Sequence, residues 1–234
     1  MPLTELQFDP ALWWTIAALG GLLALDGVSF PQTMVSRPLI SATLGGALLG
    51  RPEGGMLVGA VLELLSMRHP PYGAAKYPDT GPAGLVAGAA YAAVGAASIQ
   101  ALVAALIGGW ATGWAGSYAG HARRKLNGWL VAEPAQLAAR PQRLEHRVMG
   151  AVAIDVARGV LVTAGFLVPV AILTGLAASV PLTGGGVAFG AAALVTAVAA
   201  SVGAGARTTA PDIRAWAMVL LGALLVVATL WMPS

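Results

Sequence analysis

The segment "LDGVSFPQTMVSRPLISATLGGALLGRPEGGMLVGAVLELLSM", residues 25–67, decides the fold of this chain. It is apolar overall, yet charged side chains occupy five of its positions: Asp26, Arg37, Arg51, Glu53 and Glu63. Its two apolar runs, residues 38–50 and 54–67, are only 13 and 14 residues long. As α-helices they would extend about 20 Å, short of the roughly 30 Å hydrocarbon core of a bilayer. We therefore expect neither run to cross a membrane alone.

A third short apolar run, residues 83–95, begins within the polar turn "GAAKYPDTGPAG" and continues past it. Short apolar segments broken by glycine and proline are typical of re-entrant or discontinuous helices. The ends of such helices line substrate sites near the middle of the membrane. The sequence therefore predicts a substrate-site region at about residues 26–96.

The composition indicates an integral membrane protein. Hydrophobic residues make up 57% of the 234 positions and charged residues only 10%. The mean hydropathy of +0.77 is far above that of an ordinary water-soluble domain. Long apolar runs favour helices over the short alternating strands of a membrane barrel. The predicted fold class is all-α, a polytopic helical membrane protein with a single membrane domain over residues 1–234.

Five longer runs have the roughly 20 apolar residues that a membrane-spanning helix needs. They are residues 12–30, 98–120, 148–178, 184–205 and 214–232. The last three make up the C-terminal spans of residues 148–232. The residues before the first run include no Lys or Arg, so we expect a retained first helix rather than a cleavable signal peptide. The side of the membrane on which the N-terminus lies stays open.

A basic stretch, residues 121–147, separates the second and third spans. It holds six of the 13 Lys and Arg residues of the chain against two acids. By the positive-inside tendency it is predicted to be a cytoplasmic loop. We expect it to set topology or contact lipid head groups, and no nucleic-acid partner, because no RNA-binding motif accompanies the basic residues.

Glu63 stands in the middle of the apolar stretch "GAVLELLSM". An ionisable group at the centre of a membrane helix costs something like 3 kcal/mol, so it should face a partner or a wet cavity. Gly59 lies on the same side of the helix and would let another backbone approach. Two interpretations stay open, namely that Glu63 binds a substrate or that it is paired within the chain. The candidate partners are Arg37, Arg51 and Lys76.

Asp79 precedes a helical run that is opened by Pro82. An aspartate there is a suitable helix cap. The cap of a half-helix buried in the membrane also directs free backbone N–H groups at whatever the cavity holds. A structural role and a substrate-binding role therefore coexist at Asp79.

Two patterns on the longer helices predict packing and structural pairing. In "DVAR", Asp155 and Arg158 lie three residues apart on one helix face, where they can form an ion pair. Their place just after the basic stretch predicts a structural pair near the cytoplasmic surface. The glycine spacings 109–113 and 116–120 predict close packing between helices.

The polar residues of the substrate-site region suit a polyhydroxy compound. The carboxylates of Glu63 and Asp79 accept hydrogen bonds, and the Gln32 amide both donates and accepts. A cation site would bring more acids together, and an anion site more Arg and Lys.

Neither a metal nor a cofactor is expected. The three histidines, His69, His121 and His146, are scattered along the chain, and the absence of cysteine excludes thiolate ligands. The glycine-rich "TGGGVAFG" lacks the strand and lysine of a phosphate-binding loop, and no catalytic nucleophile motif is present. We therefore predict a protein that is not itself an enzyme.

The ordered landmarks of residues 25–85 resemble the IIC membrane component of the mannose/fructose/sorbose family of the bacterial sugar phosphotransferase system. They are Asp26, "SRPLI", "LGGALLG", "GGMLVGAVLELL" and "GAAKYPD". A weaker likeness continues through "HRVMGAVAIDVARG" to about residue 175. No single piece carries the resemblance, which rests on the order and spacing of the whole set.

The resemblance implies a sugar permease subunit in the inner membrane of a bacterium. It implies a membrane partner, IID, soluble IIA and IIB phosphotransfer proteins, and an oligomer. In this family the phosphoryl group travels through histidines of the soluble proteins, so no phospho-acceptor is implied in this chain. Family members resemble elevator-type carriers, in which a core that bears the re-entrant helices moves across a scaffold.

The resemblance also implies a set of substrate-binding residues for a hexose-type sugar. Glu63 in "VLELL" and Asp79 in "YPD" match acids at the sugar site of the family. Gln32 and Arg37 match the polar approach to "RPL", and Asp26 is the first landmark of the motif.

Two other functions stay open. Arg51 stands where relatives usually carry an acid, and a non-transporting scaffold or sensor that signals through the basic stretch would account for it. An unrelated small-solute or proton-coupled carrier would use Glu63 as a titrating group in the membrane.

Overall fold

The computed structural model describes residues 9–29, 31–67, 77–95, 98–130 and 141–209. Within these ranges the chain forms seven helices and no strand. They are α1 (Pro10–Val28), α2 (Pro38–Leu48), α3 (Pro52–Ser66), α4 (Thr80–Val94), α5 (Ile99–Leu130), α6 (Pro141–Ala178) and α7 (Gly184–Thr209).

Four of the described helices, α1, α5, α6 and α7, are long and apolar enough to cross a membrane. Their apolar spans are Pro10–Val28, Ile99–Arg124, Glu145–Ser179 and Gly184–Gly205. These spans coincide with the first four predicted crossings, and the prediction of a polytopic helical membrane protein is confirmed. The fifth predicted crossing, residues 214–232, lies outside the described residues.

The stretch predicted as a cytoplasmic loop, residues 121–147, is helical at both of its described ends. Helix α5 continues to Leu130, and α6 already begins at Pro141. The prediction of a loop is therefore wrong for residues 121–130 and 141–147. Arg, Lys, Leu and Ala are good helix formers, so the charges end the apolar span without ending the helix.

The three short helices predicted from the apolar runs are present as α2, α3 and α4. Pro38 and Pro52 occupy the first positions of α2 and α3, where a fixed φ and a missing N–H are no disadvantage. Gly50 and Gly95 follow the ends of α2 and α4 with φ of +72° and +74°. This left-handed conformation turns the chain and favours glycine.

Helix α4 is the core of the described molecule. Of its 15 residues, 13 are buried. It packs against α2, α3, α5 and α6, and also touches α1. A helix that is apolar all round belongs inside a protein. The short α4 is therefore enclosed by the other helices.

Helix α2 packs against α3 and α4 at a distance that glycine sets. A Cβ atom on Gly55 of α3 would lie 2.2 Å from the carbonyl oxygen of Ala42, and one on Gly88 of α4 would lie 2.1 Å from the same oxygen. Neither separation is sterically acceptable, so the two glycines allow the backbones to meet. Small residues of this kind drive helix association in membranes through close van der Waals contact.

A glycine stripe on α5 packs against the start of α4. A Cβ on Gly109 would lie 2.7 Å from the Cβ of Ala87, and one on Gly116 would lie 2.7 Å from the Cβ of Asp79. The glycine spacing thus marks a helix contact, as predicted. The contact fixes Asp79 against the middle of α5.

Helices α1 and α6 are also in close backbone contact. A Cβ on Gly159 of α6 would lie 2.8 Å from the Cα of Gly21. Farther along the antiparallel pair, the Ser29 hydroxyl donates to Asp155 at 2.7 Å. The end of α1 therefore meets the turn of α6 that carries Asp155.

We expect Gly88→Ala to destabilise the protein, because the added methyl group overlaps the Ala42 carbonyl oxygen. Overpacking of this kind costs about 1–3 kcal/mol and should lower the melting temperature in detergent. Gly175→Ala in α6 is the matched control, since its added Cβ would meet no described atom within 4 Å apart from its own stretch of helix. A melting temperature for Gly88→Ala equal to that of the control would contradict the close packing of α2 on α4.

Candidate substrate site

The connection between α1 and α2, residues 31–37, is held by the buried carboxylate of Asp26. We call this connection the α1–α2 link. Asp26 accepts hydrogen bonds from the Thr33 backbone N–H at 2.6 Å, the Thr33 hydroxyl at 2.8 Å and the Ser36 backbone N–H at 2.9 Å. A carboxylate engaged by three donors is largely satisfied. Asp26 therefore shapes the link.

The α1–α2 link contains two strained residues. Gln32 and Met34 have φ of 58° and 65°, in the left-handed region that residues other than glycine seldom occupy. Each such residue costs of order 1–3 kcal/mol, and the hydrogen bonds to Asp26 offset this cost. Both residues are exposed. The link thus presents the Gln32 amide at the surface beside the start of α2.

Arg37 and Glu63 form an ion pair where α2 begins against α3. Arg37 Nη1 lies 2.6 Å from Glu63 Oε1, and the Leu39 backbone N–H approaches Glu63 Oε2 at 3.4 Å. The side chains are 56% and 22% exposed. A carboxylate at a helix N-terminus is favourable for the helix dipole. Glu63 is therefore paired within the chain, which was one of the two interpretations of the sequence. The pair nevertheless lies at the surface of the described helices.

The close approach of α2 to Glu63 depends on Gly59. A Cβ at this position would lie 2.7 Å from the Pro38 carbonyl oxygen and 2.8 Å from the Leu39 Cα. Gly59 is on the face of α3 that the sequence pattern assigned to a neighbouring backbone. The backbone that it admits is the first turn of α2.

Asp79 occupies the N-cap position of α4, but its side chain makes no capping hydrogen bond. The prediction of a side-chain cap is therefore wrong. The Asp79 carboxylate instead accepts from Arg158 Nη1 at 2.7 Å, because a buried charge nearby binds it more strongly than a neutral N–H does. Its backbone N–H donates to the Gly113 carbonyl at 2.9 Å. Asp79 thus joins α4 to both α5 and α6.

Asp155 and Arg158 lie at the centre of a buried polar cluster. Arg158 Nε is 3.5 Å from Asp155 Oδ1, and Asp155 also pairs with Arg123 of α5. The side chains of Asp155 and Arg158 are only 1% and 7% exposed. The two residues predicted to pair thus lie within ion-pair distance, and they are buried because α1, α4 and α5 cover that turn of α6.

The site has two parts, the open pair and the buried network. The open pair consists of Arg37 and Glu63. The buried network consists of Ser29, Asp79, Arg123, Asp155 and Arg158. Ser36 of the α1–α2 link connects them, since it precedes Arg37 and its carbonyl accepts from the Thr80 hydroxyl at 3.0 Å.

Arg123, Ser29 and Gly116 were missed as site residues in the sequence. Arg123 is one of six Lys and Arg residues in the basic stretch of 27 residues. Nothing in the sequence distinguishes it from the other five as a buried residue. The only local signal for Arg123 was Asp155 in "DVAR", because a buried carboxylate needs more than one hydrogen-bond donor. Within the described ranges, no group of three or more His, Asp or Glu side chains is arranged to hold a metal ion.

Comparison with known proteins adds a family and a fold. A family model described as the PTS system sorbose-specific IIC component matches residues 11–181. A solved structure described as "Structure of membrane protein" superimposes with a TM-score of 0.64 at 16% sequence identity, covering 100% of this chain and 97% of that chain. At this identity the second comparison shows a shared fold alone. No curated protein sequence matches the chain.

Asp79→Asn should be far more damaging to stability than Glu63→Gln. Breaking a buried ion pair leaves Arg158 poorly neutralised and costs about 3–5 kcal/mol. Loss of the partly exposed Glu63 carboxylate, whose partner Arg37 is exposed, costs about 1 kcal/mol. Thermal unfolding of the two variants in the same detergent measures the difference. Equal losses of stability would contradict the distinction between the open pair and the buried network.

Proposed function

Because the chain belongs to the family of sorbose-specific IIC components of the bacterial sugar phosphotransferase system, we propose that it binds a hexose-type sugar at the open pair and carries it inward. Members of this family are membrane subunits of a sugar permease in the inner membrane. They function together with other components of the same system. The site, the class of sugar and the individual partners are our proposal.

The observation that carries the proposal is the accessible ion pair between Arg37 and Glu63 at 2.6 Å. A carboxylate and a guanidinium side by side can accept from and donate to neighbouring hydroxyl groups of one sugar. Hydrogen bonds to charged groups contribute about 1.5–3 kcal/mol, more than those between neutral groups. The buried network offers no comparable opening to a whole sugar ring.

The other predicted residues support the open pair in different ways. Gln32 presents an exposed amide on the α1–α2 link, suited to a further hydroxyl. Asp26 positions that link through three hydrogen bonds.

Asp79 positions the start of α4 through Arg158. We therefore propose that Glu63, Arg37 and Gln32 contact the sugar and that Asp26 and Asp79 are positioning residues.

For the elevator-type movement, we propose that α1 to α6 move as one body relative to a scaffold that includes α7. The close glycine contacts among α2, α3, α4 and α5 favour a rigid body. Helix α7 is packed much more loosely, with only 11% of its apolar span buried. Its exposed apolar side chains, such as Phe189 and Val195, suit lipid, the IID subunit or a second copy of the chain.

Phosphorylation of the sugar is assigned to soluble IIA and IIB proteins. We propose that they deliver the phosphoryl group to a sugar held by this chain and IID, and that this chain is not itself a phospho-acceptor. The role of this chain is then to bind, enclose and release the sugar.

The competing proposal of a scaffold or sensor without transport arose from Arg51. In the structure Arg51 Nη1 donates to the Ala92 carbonyl at 3.2 Å, in the last turn of α4. A cation at the C-terminal end of a helix is favourable for the helix dipole. This structural role accounts for a basic residue at the position without loss of transport, and therefore supports the permease over the sensor.

Glu63→Gln should weaken hexose binding at least about tenfold, because a charged acceptor is replaced by a neutral amide. The measurement is equilibrium binding of a panel of radiolabelled hexoses, hexosamines and ketoses to protein purified with its IID partner. Glu53→Gln is the matched control, since Glu53 lies exposed in the first turn of the same helix. Unchanged binding by Glu63→Gln, or equal loss in both variants, would exclude the open pair as the sugar site.

Sugar uptake by cells should require phosphoenolpyruvate and persist when the proton gradient is dissipated, because phosphorylation drives accumulation in the proposed mechanism. Uptake that stops on addition of a protonophore while phosphoenolpyruvate is maintained would favour the proton-coupled carrier. No uptake of any sugar by a well-folded complex would favour the sensor.

A further inference from the structure

A small cavity lies where the start of α4 meets α5 and α6. Among its lining residues are Tyr77, Asp79, Thr80, Arg123, Arg124 and Arg158. It is partly open and has a volume of about 30 Å³, enough for about two water molecules. Pockets that hold drug-sized molecules have volumes of roughly 300 Å³ or more. A sugar ring does not fit in this cavity, whereas a group of a few atoms does.

The cavity wall carries an excess of positive charge. Its lining includes three arginines, Arg123, Arg124 and Arg158, and one acidic residue, Asp79. Asp155 lies behind the wall and neutralises one further charge through Arg123 and Arg158. Arg124 is exposed and takes part in none of the ion pairs found in the described ranges. Even with both carboxylates counted, the group retains a net positive charge.

Arg158 has donors that the described residues do not use. Its Nη1 donates to Asp79 at 2.7 Å and to the Gly116 carbonyl at 2.8 Å. Its Nη2 is buried and has no hydrogen-bond acceptor among the described residues, and the side chain is only 7% exposed. A buried charged donor without an acceptor is costly, so it calls for a ligand or solvent oxygen.

The N-terminus of α4 adds to the positive character of the cavity. Since the Asp79 side chain does not bond to the first turn of α4, it leaves that end without an acidic cap. The unpaired N–H groups of a helix N-terminus attract anions. Thr80 at this end lines the cavity, and its hydroxyl also contacts the α1–α2 link.

We propose that this cavity binds the phosphoryl group of a phosphomonoester, namely the sugar phosphate formed from the transported sugar. Guanidinium groups approaching from α5 and α6 suit an oxyanion with several oxygens. The partial opening would leave the sugar outside while the phosphoryl oxygens enter. The choice of a sugar phosphate over free phosphate or a lipid rests on the proposed permease function.

The location of the cavity suits a product leaving the protein. Arg123 and Arg124 begin the basic stretch that the positive-inside tendency assigns to the cytoplasm. Through Thr80 and Ser36 the cavity is linked to the same connection that carries Arg37. An anion in the cavity would therefore be coupled to the open pair through this connection, and binding of the phosphorylated product in the cavity would favour its departure from the open pair.

The test is equilibrium binding of radiolabelled inorganic phosphate to the purified protein, with hexose 6-phosphates, the same hexoses and dihexanoyl phosphatidate as competitors. Arg124→Gln removes an exposed cation of the cavity and should fold normally. We expect it to weaken phosphate binding about tenfold, the effect of losing one charge-assisted hydrogen bond. Arg147→Gln is the matched control, because it removes one exposed arginine of the same basic stretch away from the cavity lining.

Displacement of phosphate by hexose 6-phosphate at lower concentration than by unlabelled phosphate would support the sugar phosphate. Equal displacement by the two would assign the cavity to free phosphate, and stronger displacement by phosphatidate would assign it to a lipid head group. Either result would overturn the proposal that the ligand is a sugar phosphate. Absence of saturable phosphate binding, or equal weakening in Arg124→Gln and Arg147→Gln, overturns the cavity itself. Hexose binding and its loss in Glu63→Gln report separately on the proposed permease site.

Discussion

A guanidinium group buried among four helices imposes the main constraint on this structure. Arg158 of α6 needs acceptors within the protein, because an uncompensated charge inside a membrane is costly. It finds them in the Asp79 carboxylate at the start of α4, the Gly116 carbonyl of α5 and the neighbouring Asp155. Since Asp155 in turn binds Ser29 at the end of α1, one charge fixes how four helices meet.

The glycines make this arrangement sterically available. Gly116 allows Asp79 to lie against α5, and Gly55 and Gly88 allow α2 to pack between α3 and α4. Because these contacts bury the short helices against one another, none of the three has to cross the membrane itself. The first turn of α2 can then meet α3, and Arg37 and Glu63 are left accessible there beside the α1–α2 link. The glycine contacts that pack the short helices together thus also place the proposed sugar-binding residues.

Much of the fold could be predicted from the sequence, because span length and apolar content are local properties. The long helices and the three short ones, α2, α3 and α4, follow from them. The partners of the charges could not be predicted. Three cations were equally plausible for Glu63, and the partner of Asp79 is Arg158, 79 positions away. The sequence before Pro82 therefore predicted a capping hydrogen bond from Asp79 to its own helix. In the structure Asp79 instead forms an ion pair with another helix. Arg123 was similarly hidden in a stretch whose charges are explained by topology.

The most direct test of the account is an experimental structure of the protein with its IID partner and a bound hexose. The account predicts sugar hydroxyls within hydrogen-bond distance of Glu63 and Arg37, with the contact between Asp79 and Arg158 intact. A hexose bound elsewhere, with the pair between Arg37 and Glu63 closed and away from the sugar, would contradict the central claim that the open pair is the substrate site.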